Sequence, residues 1–279
     1  MDIGMKAYLK IHGDKVAGKK IEILLKDTTG PVPEVAKRLA QELVVRENVD
    51  FLAGFGLTPE ALAVADIATQ AKKPMIVMNA ATSVITTKSP YIARVSMTLA
   101  QNAAPLGTWA AKNGIKSVFT LVADYGPGID AEGAFKKAFT AAGGTIVESV
   151  RSPLRNPEFA PFVQRIKDAR PQAVFVFLPA GEQGIAFMKG VQERGLPQAG
   201  IKVIATGDVT DDLVLDAMGD NALGMITSFH YSAAHDSPEN KAFLAACAQV
   251  GAQGRPNFMT VAGFDGMAAI FEVARKLGG

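Results

Sequence analysis

A short polar segment behind an apolar run is the part of the sequence best suited to binding a charged group. Residues 74–78 read Pro-Met-Ile-Val-Met, and Asn79-Ala80-Ala81-Thr82-Ser83 follow directly. Small residues let the backbone approach a ligand closely, and free N–H groups beside a threonine hydroxyl are oriented donors for an oxyanion. The same pattern also fits an ordinary turn. The rest of the sequence is needed to choose between an anion-binding segment and a turn.

Acidic and aromatic residues end two further apolar runs. Asp124 and Tyr125 close the run that begins at position 117, and Asp208 follows the run 202–206. Asp211 and Asp212 open the next helix, where carboxylates favourably oppose the helix dipole, and this explains them fully. Asp208 lies before that helix, so it has two open interpretations, a turn residue or a ligand-binding acid. Tyr125 is placed equally well to pack in a core or to line an apolar ligand.

Patterns for other chemistries are incomplete. Glycine loops at 54–56 and 126–128 follow apolar runs, but both lack the third glycine of a dinucleotide site and the lysine of a P-loop. His230 and His235 are five residues apart, which is poor spacing for a metal site. No Gly-x-Ser-x-Gly motif is present, and Cys247 has no evident activating partner. The sequence therefore predicts no cofactor and no metal, and a binding protein is favoured over an enzyme, which is kept as the less favoured alternative.

Composition limits the remaining classes. The chain has 279 residues, 48% of them hydrophobic and 20% charged, which is typical of one large or two medium globular domains. Its formal net charge is +2 and it has no long basic run, so a nucleic-acid partner is not expected. No apolar stretch reaches the roughly 18 residues of a membrane span. A small-molecule partner is expected instead.

Short apolar runs alternate with segments of helical period, which predicts an α/β fold with parallel strands covered by helices. Thr58-Pro59-Glu60 has the composition of a helix start, with Thr58 as the capping hydroxyl. The pattern forms two similar blocks, and segments 94–98 and 224–232 are predicted as crossover strands between them. Residues 1–97 with 230–279 are assigned to the first lobe, and residues 98–229 to the second. The buried strands are predicted at 20–26, 50–54, 74–78, 117–124, 173–178 and 202–206.

Five segments at strand ends, taken in order, resemble those of a known family. They are residues 54–58 (Gly-Phe-Gly-Leu-Thr), 78–83 (Met-Asn-Ala-Ala-Thr-Ser), 124–128 (Asp-Tyr-Gly-Pro-Gly), 206–208 (Thr-Gly-Asp) and 230–232 (His-Tyr-Ser). The chain is similar over nearly its whole length to periplasmic solute-binding proteins of the leucine/isoleucine/valine-binding group, the type I periplasmic binding proteins. The resemblance implies two Rossmann-like lobes joined by crossover strands. Relative to that pattern the chain is expected to be truncated at both ends, with a central strand of the first lobe missing.

The resemblance also implies the ligand-binding residues. In the first lobe, the backbone N–H groups of Ala80–Thr82 and the Thr82 hydroxyl are expected to hold a ligand carboxylate, aided by the Thr58 hydroxyl. In the second lobe, the expected residues are Asp124, Tyr125, Ala180 and Asp208, with Asp208 near the position at which amino-acid binders place an acid against the ligand ammonium.

The implied role is the substrate-binding component of an ABC importer, periplasmic and monomeric, which presents a small carboxylate to a membrane permease. A branched-chain or related amino acid is the first expectation for the ligand. A benzoate-like aromatic carboxylate is the alternative, because it needs the same carboxylate anchor but no partner for an ammonium. A ligand-sensing receptor domain remains a third interpretation, since one fold serves several functions.

Overall fold

The computed structural model describes residues 1–279 and divides into two compact units. Unit 1 comprises Met1–Met97 and Tyr231–Gly279, and unit 2 comprises Thr98–His230. None of the helices combines the length and apolar character that crossing a membrane requires. Each unit has its own parallel sheet, and the two are described separately.

The helices and strands follow one another in a regular alternation. In chain order they are α1 (Asp2–His12), β1 (Lys15–Val16), β2 (Lys19–Lys20), α2 (Pro33–Val45), β3 (Leu52–Gly54), α3 (Thr58–Ala71), β4 (Met75–Val77), β5 (Ile92–Arg94), α4 (Leu99–Lys112), β6 (Ser117–Ala123), α5 (Gly126–Ala141), β7 (Thr145–Ser152), α6 (Ala160–Ala169), β8 (Ala173–Phe177), α7 (Glu182–Glu193), β9 (Lys202–Thr206), α8 (Asp212–Met218), β10 (Ile226–Ser228), α9 (Pro238–Gln249) and α10 (Phe258–Leu277).

Unit 1 is built on a three-stranded parallel sheet in the order β3-β4-β5. Successive side chains of a strand point to opposite faces, so Met75 and Val77 share one face of β4 and pack in a cluster with the small residues of α3. On the other face, Met78 lies against Gly266 of α10, where a β-carbon would approach within 2.3 Å of the methionine side chain. A larger residue at position 266 would therefore require the Met78 side chain to move.

The strand predicted at residues 20–26 is absent from this sheet. The chain instead forms the two-residue strands β1 and β2 and then runs from 21 to 29 without regular structure. Leu25 in this segment is 69% exposed. The prediction was wrong because an apolar run becomes a strand only where a neighbouring strand satisfies its backbone, and β3 pairs on one side only, with β4.

Unit 2 is built on a five-stranded parallel sheet in the order β10-β9-β8-β6-β7. Its central strands carry continuous apolar runs, as strands covered on both faces require. On one face, Phe175 stacks on Phe135 of α5 with ring centroids 4.0 Å apart. On the other, Val174 and Val176 pack with α6 and α7. The carboxyl ends of β6, β8 and β9 are adjacent because these strands pair directly.

Candidate ligand-binding site

In unit 1, the predicted anchor residues meet at the carboxyl ends of β3 and β4. The hydroxyls of Thr58 and Thr82 lie 2.8 Å apart, and both residues are buried. One hydroxyl proton is used in this hydrogen bond, so the pair retains one further O–H donor. Thr58 lies inside the first turn of α3, whose N-cap is Leu57, so the expected capping role of the Thr58 hydroxyl was wrong.

The backbone donors of this turn are fewer than expected. The Ala80 amide, which was expected to hold the ligand carboxylate, donates to the Phe55 carbonyl at 2.9 Å and so already has an acceptor within the chain. Phe55 has a φ of 63°, an uncommon conformation for a bulky residue, and this bond helps to hold it. The Ala81 and Thr82 amides have no acceptor within the chain. These two amides, together with the threonine pair, form what we call the Ala81–Thr82 turn.

Two side chains outside the predicted set support this turn. The Asn79 amide nitrogen donates to the Gly56 carbonyl at 2.8 Å and so ties the loop after β3 to the loop after β4. Arg94, the last residue of β5, donates from Nη2 to the Thr82 carbonyl at 2.6 Å. Sequence reasoning missed Arg94 because it was included in the crossover segment. The signal that could have found it is the apolar pair Ile92-Ala93 directly before it, which begins β5 and leaves Arg94 at a strand end, where ligand-facing residues collect.

In unit 2, Tyr125 and Asp208 come together at the carboxyl edge of the sheet. The Tyr125 and Phe177 rings are stacked with centroids 6.0 Å apart. Burial raises the pKa of the Tyr125 phenol, and the negative charge of Asp208 raises it further. The charge of Asp208 therefore acts on the Tyr125 phenol. We call Tyr125, Phe177, Thr206 and Asp208 the Asp208 cluster.

Asp208 is buried, with 6% of its surface exposed, and its Oδ2 has no hydrogen-bond partner within the chain. Burial raises the pKa of its carboxyl group to about 7, although the nearby Thr206 hydroxyl and the Asp208 backbone amide act in the opposite direction. The buried Thr206 Oγ1 also lacks a partner by strict hydrogen-bond geometry. Buried polar atoms are nearly always satisfied in folded proteins, so the open Oδ2 of Asp208 at a parallel-sheet edge is a candidate contact for a polar ligand atom.

Asp124 and Ala180 differ from Asp208 in their surroundings. The Asp124 side chain is 59% exposed and lies 3.6 Å from the Arg151 guanidinium, which also binds buried Glu132. Ala180 follows β8 and is partly buried, and its amide has no acceptor within the chain. Asp124 is therefore already paired with a cation, whereas Ala180 still offers a backbone donor.

The two sheet edges offer complementary chemistry. The Ala81–Thr82 turn presents neutral donors suited to an oxyanion, as N–H and O–H groups stabilise a negative charge that has left water. The Asp208 cluster presents aromatic surface and a carboxyl group with open capacity for a hydrogen bond. No group of three or more His, Cys, Asp or Glu side chains is arranged to hold a metal. Each edge therefore carries polar groups that could contact a small ligand.

Comparison with known proteins identifies the class. A family model described as periplasmic binding protein matches residues 1–279. The chain belongs to this family, as the sequence motifs predicted, and it is a solute-binding protein of the ABC-transporter type.

Individual relatives are similar over almost the whole chain. The Leu/Ile/Val-binding protein homolog 6 of Brucella melitensis is 47% identical over 277 residues, which are 99% of this chain and 71% of the relative. A solute-binding protein of an ABC transporter from Rhodopseudomonas palustris BisB5, solved with 3,4-dihydroxybenzoic acid, is 57% identical with a TM-score of 0.94. Another from R. palustris, solved with 4-hydroxybenzoate, is 46% identical with a TM-score of 0.97. Both structures cover 100% of this chain, which covers 76% of each of them.

Proposed function

We propose that the protein binds a hydroxybenzoate-type aromatic carboxylate in the periplasm and presents it to the permease of an ABC importer. The Asp208 cluster carries this proposal. A ring hydroxyl both donates and accepts a hydrogen bond, so it pairs with a carboxyl group in either protonation state, whereas an ammonium requires the ionised form. With its pKa raised to about 7, Asp208 favours the partner that tolerates both states.

The remaining predicted residues receive roles on this proposal. The ligand carboxylate binds the open donors of the Ala81–Thr82 turn, including the free hydroxyl of the threonine pair. The aromatic ring packs on Tyr125, and the Ala180 amide adds a backbone donor. Relatives that are 46% and 57% identical bind ligands of this class, which supports the assignment.

A branched-chain amino acid is the second candidate. Asp208 favours it if the ligand ammonium holds the carboxyl group in its ionised form, because a close opposite charge lowers a carboxyl pKa. The name of the Brucella relative supports it as well. Asp124 is the weaker ammonium partner of the two acids, since it is exposed and paired with Arg151.

Calorimetric titration with 4-hydroxybenzoate, benzoate, leucine and valine separates the candidates. We expect heat from the aromatic acids, with 4-hydroxybenzoate the tighter of the two by about tenfold, the usual value of one hydrogen bond to a charged group. The Asp208→Asn variant is expected to bind 4-hydroxybenzoate within about threefold of wild type, because the Asn side chain keeps an acceptor oxygen. Heat from leucine or valine alone, abolished in the Asp208→Asn variant, would instead establish the amino-acid function.

A further inference from the structure

The Ala81–Thr82 turn is held by a cation that the sequence motifs do not include. Arg94 Nη2 donates to the Thr82 carbonyl at 2.6 Å, and the Ile85 amide reaches the same carbonyl at 3.3 Å. The Thr82 hydroxyl bonds Thr58 at 2.8 Å. Thr82 is thus fixed through its carbonyl and its side chain, and its amide remains open as a donor.

The other groups of this turn carry no charge. Backbone amides and threonine hydroxyls are neutral, and an anion that leaves water for such a site loses hydration that neutral donors replace in part. A guanidinium stays protonated at every physiological pH. Arg94 Nη2 bonds the Thr82 carbonyl, and the Thr82 amide belongs to the same residue. The Arg94 Nη2 atom and the Thr82 amide nitrogen are therefore on the order of 6 Å apart by standard backbone dimensions. An anion bound to that amide would lie about one hydrogen bond further away, and a partly buried cation still attracts it at such a distance.

The position of Arg94 in the fold determines where its side chain lies. Arg94 is the last residue of β5 and is in register with Val77 of β4, the strand that leads into the turn. The guanidinium is partly buried, so solvent screens it less than it screens a surface charge. Strand pairing therefore sets the side chain beside the turn independently of any flexible loop.

We propose that Arg94 is the positioning and charge-balancing residue for the ligand carboxylate, acting through Thr82 from behind the Ala81–Thr82 turn. This inference rests on the proposed function only in its assumption that the ligand is a carboxylate. It holds equally for an aromatic acid and for an amino acid.

Two variants separate charge from positioning. Arg94→Gln keeps a neutral donor for the Thr82 carbonyl, and Arg94→Lys keeps the charge. We expect Arg94→Gln to raise the Kd for 4-hydroxybenzoate at least tenfold and the Kd for neutral 4-hydroxybenzamide less than threefold. Arg94→Lys is expected to stay within about threefold of wild type for the carboxylate. Circular dichroism confirms that both variants are folded.

Arg275→Gln is the matched control, because Arg275 is exposed on α10 and pairs with Glu272 on the surface. The same loss of charge there is expected to leave both affinities unchanged. Equal losses for the acid and the amide in Arg94→Gln would reduce Arg94 to a structural residue, and an unchanged Kd would remove it from the site. If wild type binds leucine but not 4-hydroxybenzoate, the proposed function fails, and leucine with leucinamide forms the test pair for Arg94. Wild-type protein that binds neither carboxylate contradicts both proposals.

Discussion

The carboxyl edges of the two sheets differ in polarity although both belong to parallel α/β units. The edge of unit 1 offers donors, namely the amides of Ala81 and Thr82 and one hydroxyl of the threonine pair. The edge of unit 2 offers aromatic surface and an acid, with Tyr125 stacked on Phe177 beside buried Asp208. The two edges thus occupy equivalent positions in their units but differ in the chemical groups that they offer.

The scaffolds beneath these edges differ as well. The sheet of unit 2 has five strands and a core of fully buried aromatic side chains, among them Phe119, Phe175 and Phe187. The sheet of unit 1 has three short strands, and the segment 21–29 has no regular structure, with Leu25 exposed. Because apolar burial is the main stabilising contribution, unit 2 is expected to be the more sensitive of the two to truncation of its apolar side chains.

The largest expected effect tests this difference in scaffold. Phe175→Ala removes a fully buried ring that stacks on Phe135, and is expected to lower the free energy of unfolding by about 3–5 kcal/mol. Leu25→Ala, at a side chain that is 69% exposed, is expected to change it by less than about 0.5 kcal/mol. Circular dichroism during guanidinium denaturation follows both units, and the fluorescence of Trp109, the only tryptophan, follows unit 2, which contains Phe175. Similar losses in the two variants would contradict the ranking of the scaffolds.

A second prediction concerns the acid that unit 2 buries. Native Asp208 keeps its proton up to a pH of about 7, whereas the unfolded chain releases it near the ordinary pKa of 3.8. Between these values the native state binds more protons, so its stability falls as the pH rises through this window, and above it the loss due to Asp208 is complete and no longer changes with pH. Three pKa units correspond to a loss of up to about 4 kcal/mol.

Denaturation of wild type and of Asp208→Asn between pH 4 and pH 8 measures this contribution. The Asn variant does not ionise at position 208, so we expect a shallower fall in its stability with pH. Asp220→Asn, at an exposed acid near the end of α8, is the control and is expected to follow wild type. Parallel curves for wild type and Asp208→Asn would show that Asp208 is already ionised in the unliganded protein.

Much of the fold was predictable because buried parallel strands are continuous apolar runs. The predicted strand 202–206 coincides with β9, and the run at 117–124 exceeds β6 by one residue. Strand β7 was missed because it lies at the edge of its sheet, where exposed and buried side chains alternate and the apolar run is broken. The segment 20–26 failed for the opposite reason, since it has the apolar run but no strand partner.

The residue types of the candidate site were predictable from the sequence. Which of their atoms are buried or already hydrogen-bonded was not. The motif at 78–83 located the turn, but which amides remain open depends on the loop at 54–57, whose Phe55 carbonyl takes the Ala80 N–H. Asp124 and Asp208 both follow strands, yet only Asp208 is buried, whereas Asp124 is exposed and pairs with Arg151 of the neighbouring strand. Whether an amide is open or an acid is buried depends on tertiary contacts, which a local sequence motif does not contain.

A third prediction addresses the donor character of the unit 1 edge. Thr82→Val removes one hydroxyl of the threonine pair while keeping its shape, and is expected to weaken binding of 4-hydroxybenzoate by about 1–3 kcal/mol, the cost of losing a donor to a charged group. Thr87→Val is the matched control, because the Thr87 hydroxyl is exposed and donates to the Val84 carbonyl in the same loop. Calorimetry should find its Kd unchanged. An unaltered Kd in Thr82→Val would mean that the amides alone hold the carboxylate.

The smallest effect is the coupling between the two hydroxyls of unit 1. Thr58 and Thr82 share one buried hydrogen bond of 2.8 Å, so their replacements by valine are not independent. A cycle of Thr58→Val, Thr82→Val and the double variant in unliganded protein is expected to give a coupling energy of about 1 kcal/mol, the net value of a typical hydrogen bond. Each single variant leaves a buried hydroxyl without its partner, whereas the double variant leaves none, so the double variant should be more stable than the sum of the single losses indicates. Additive losses would show that water satisfies each hydroxyl separately, and the threonine pair would then not be a preformed part of the anchor.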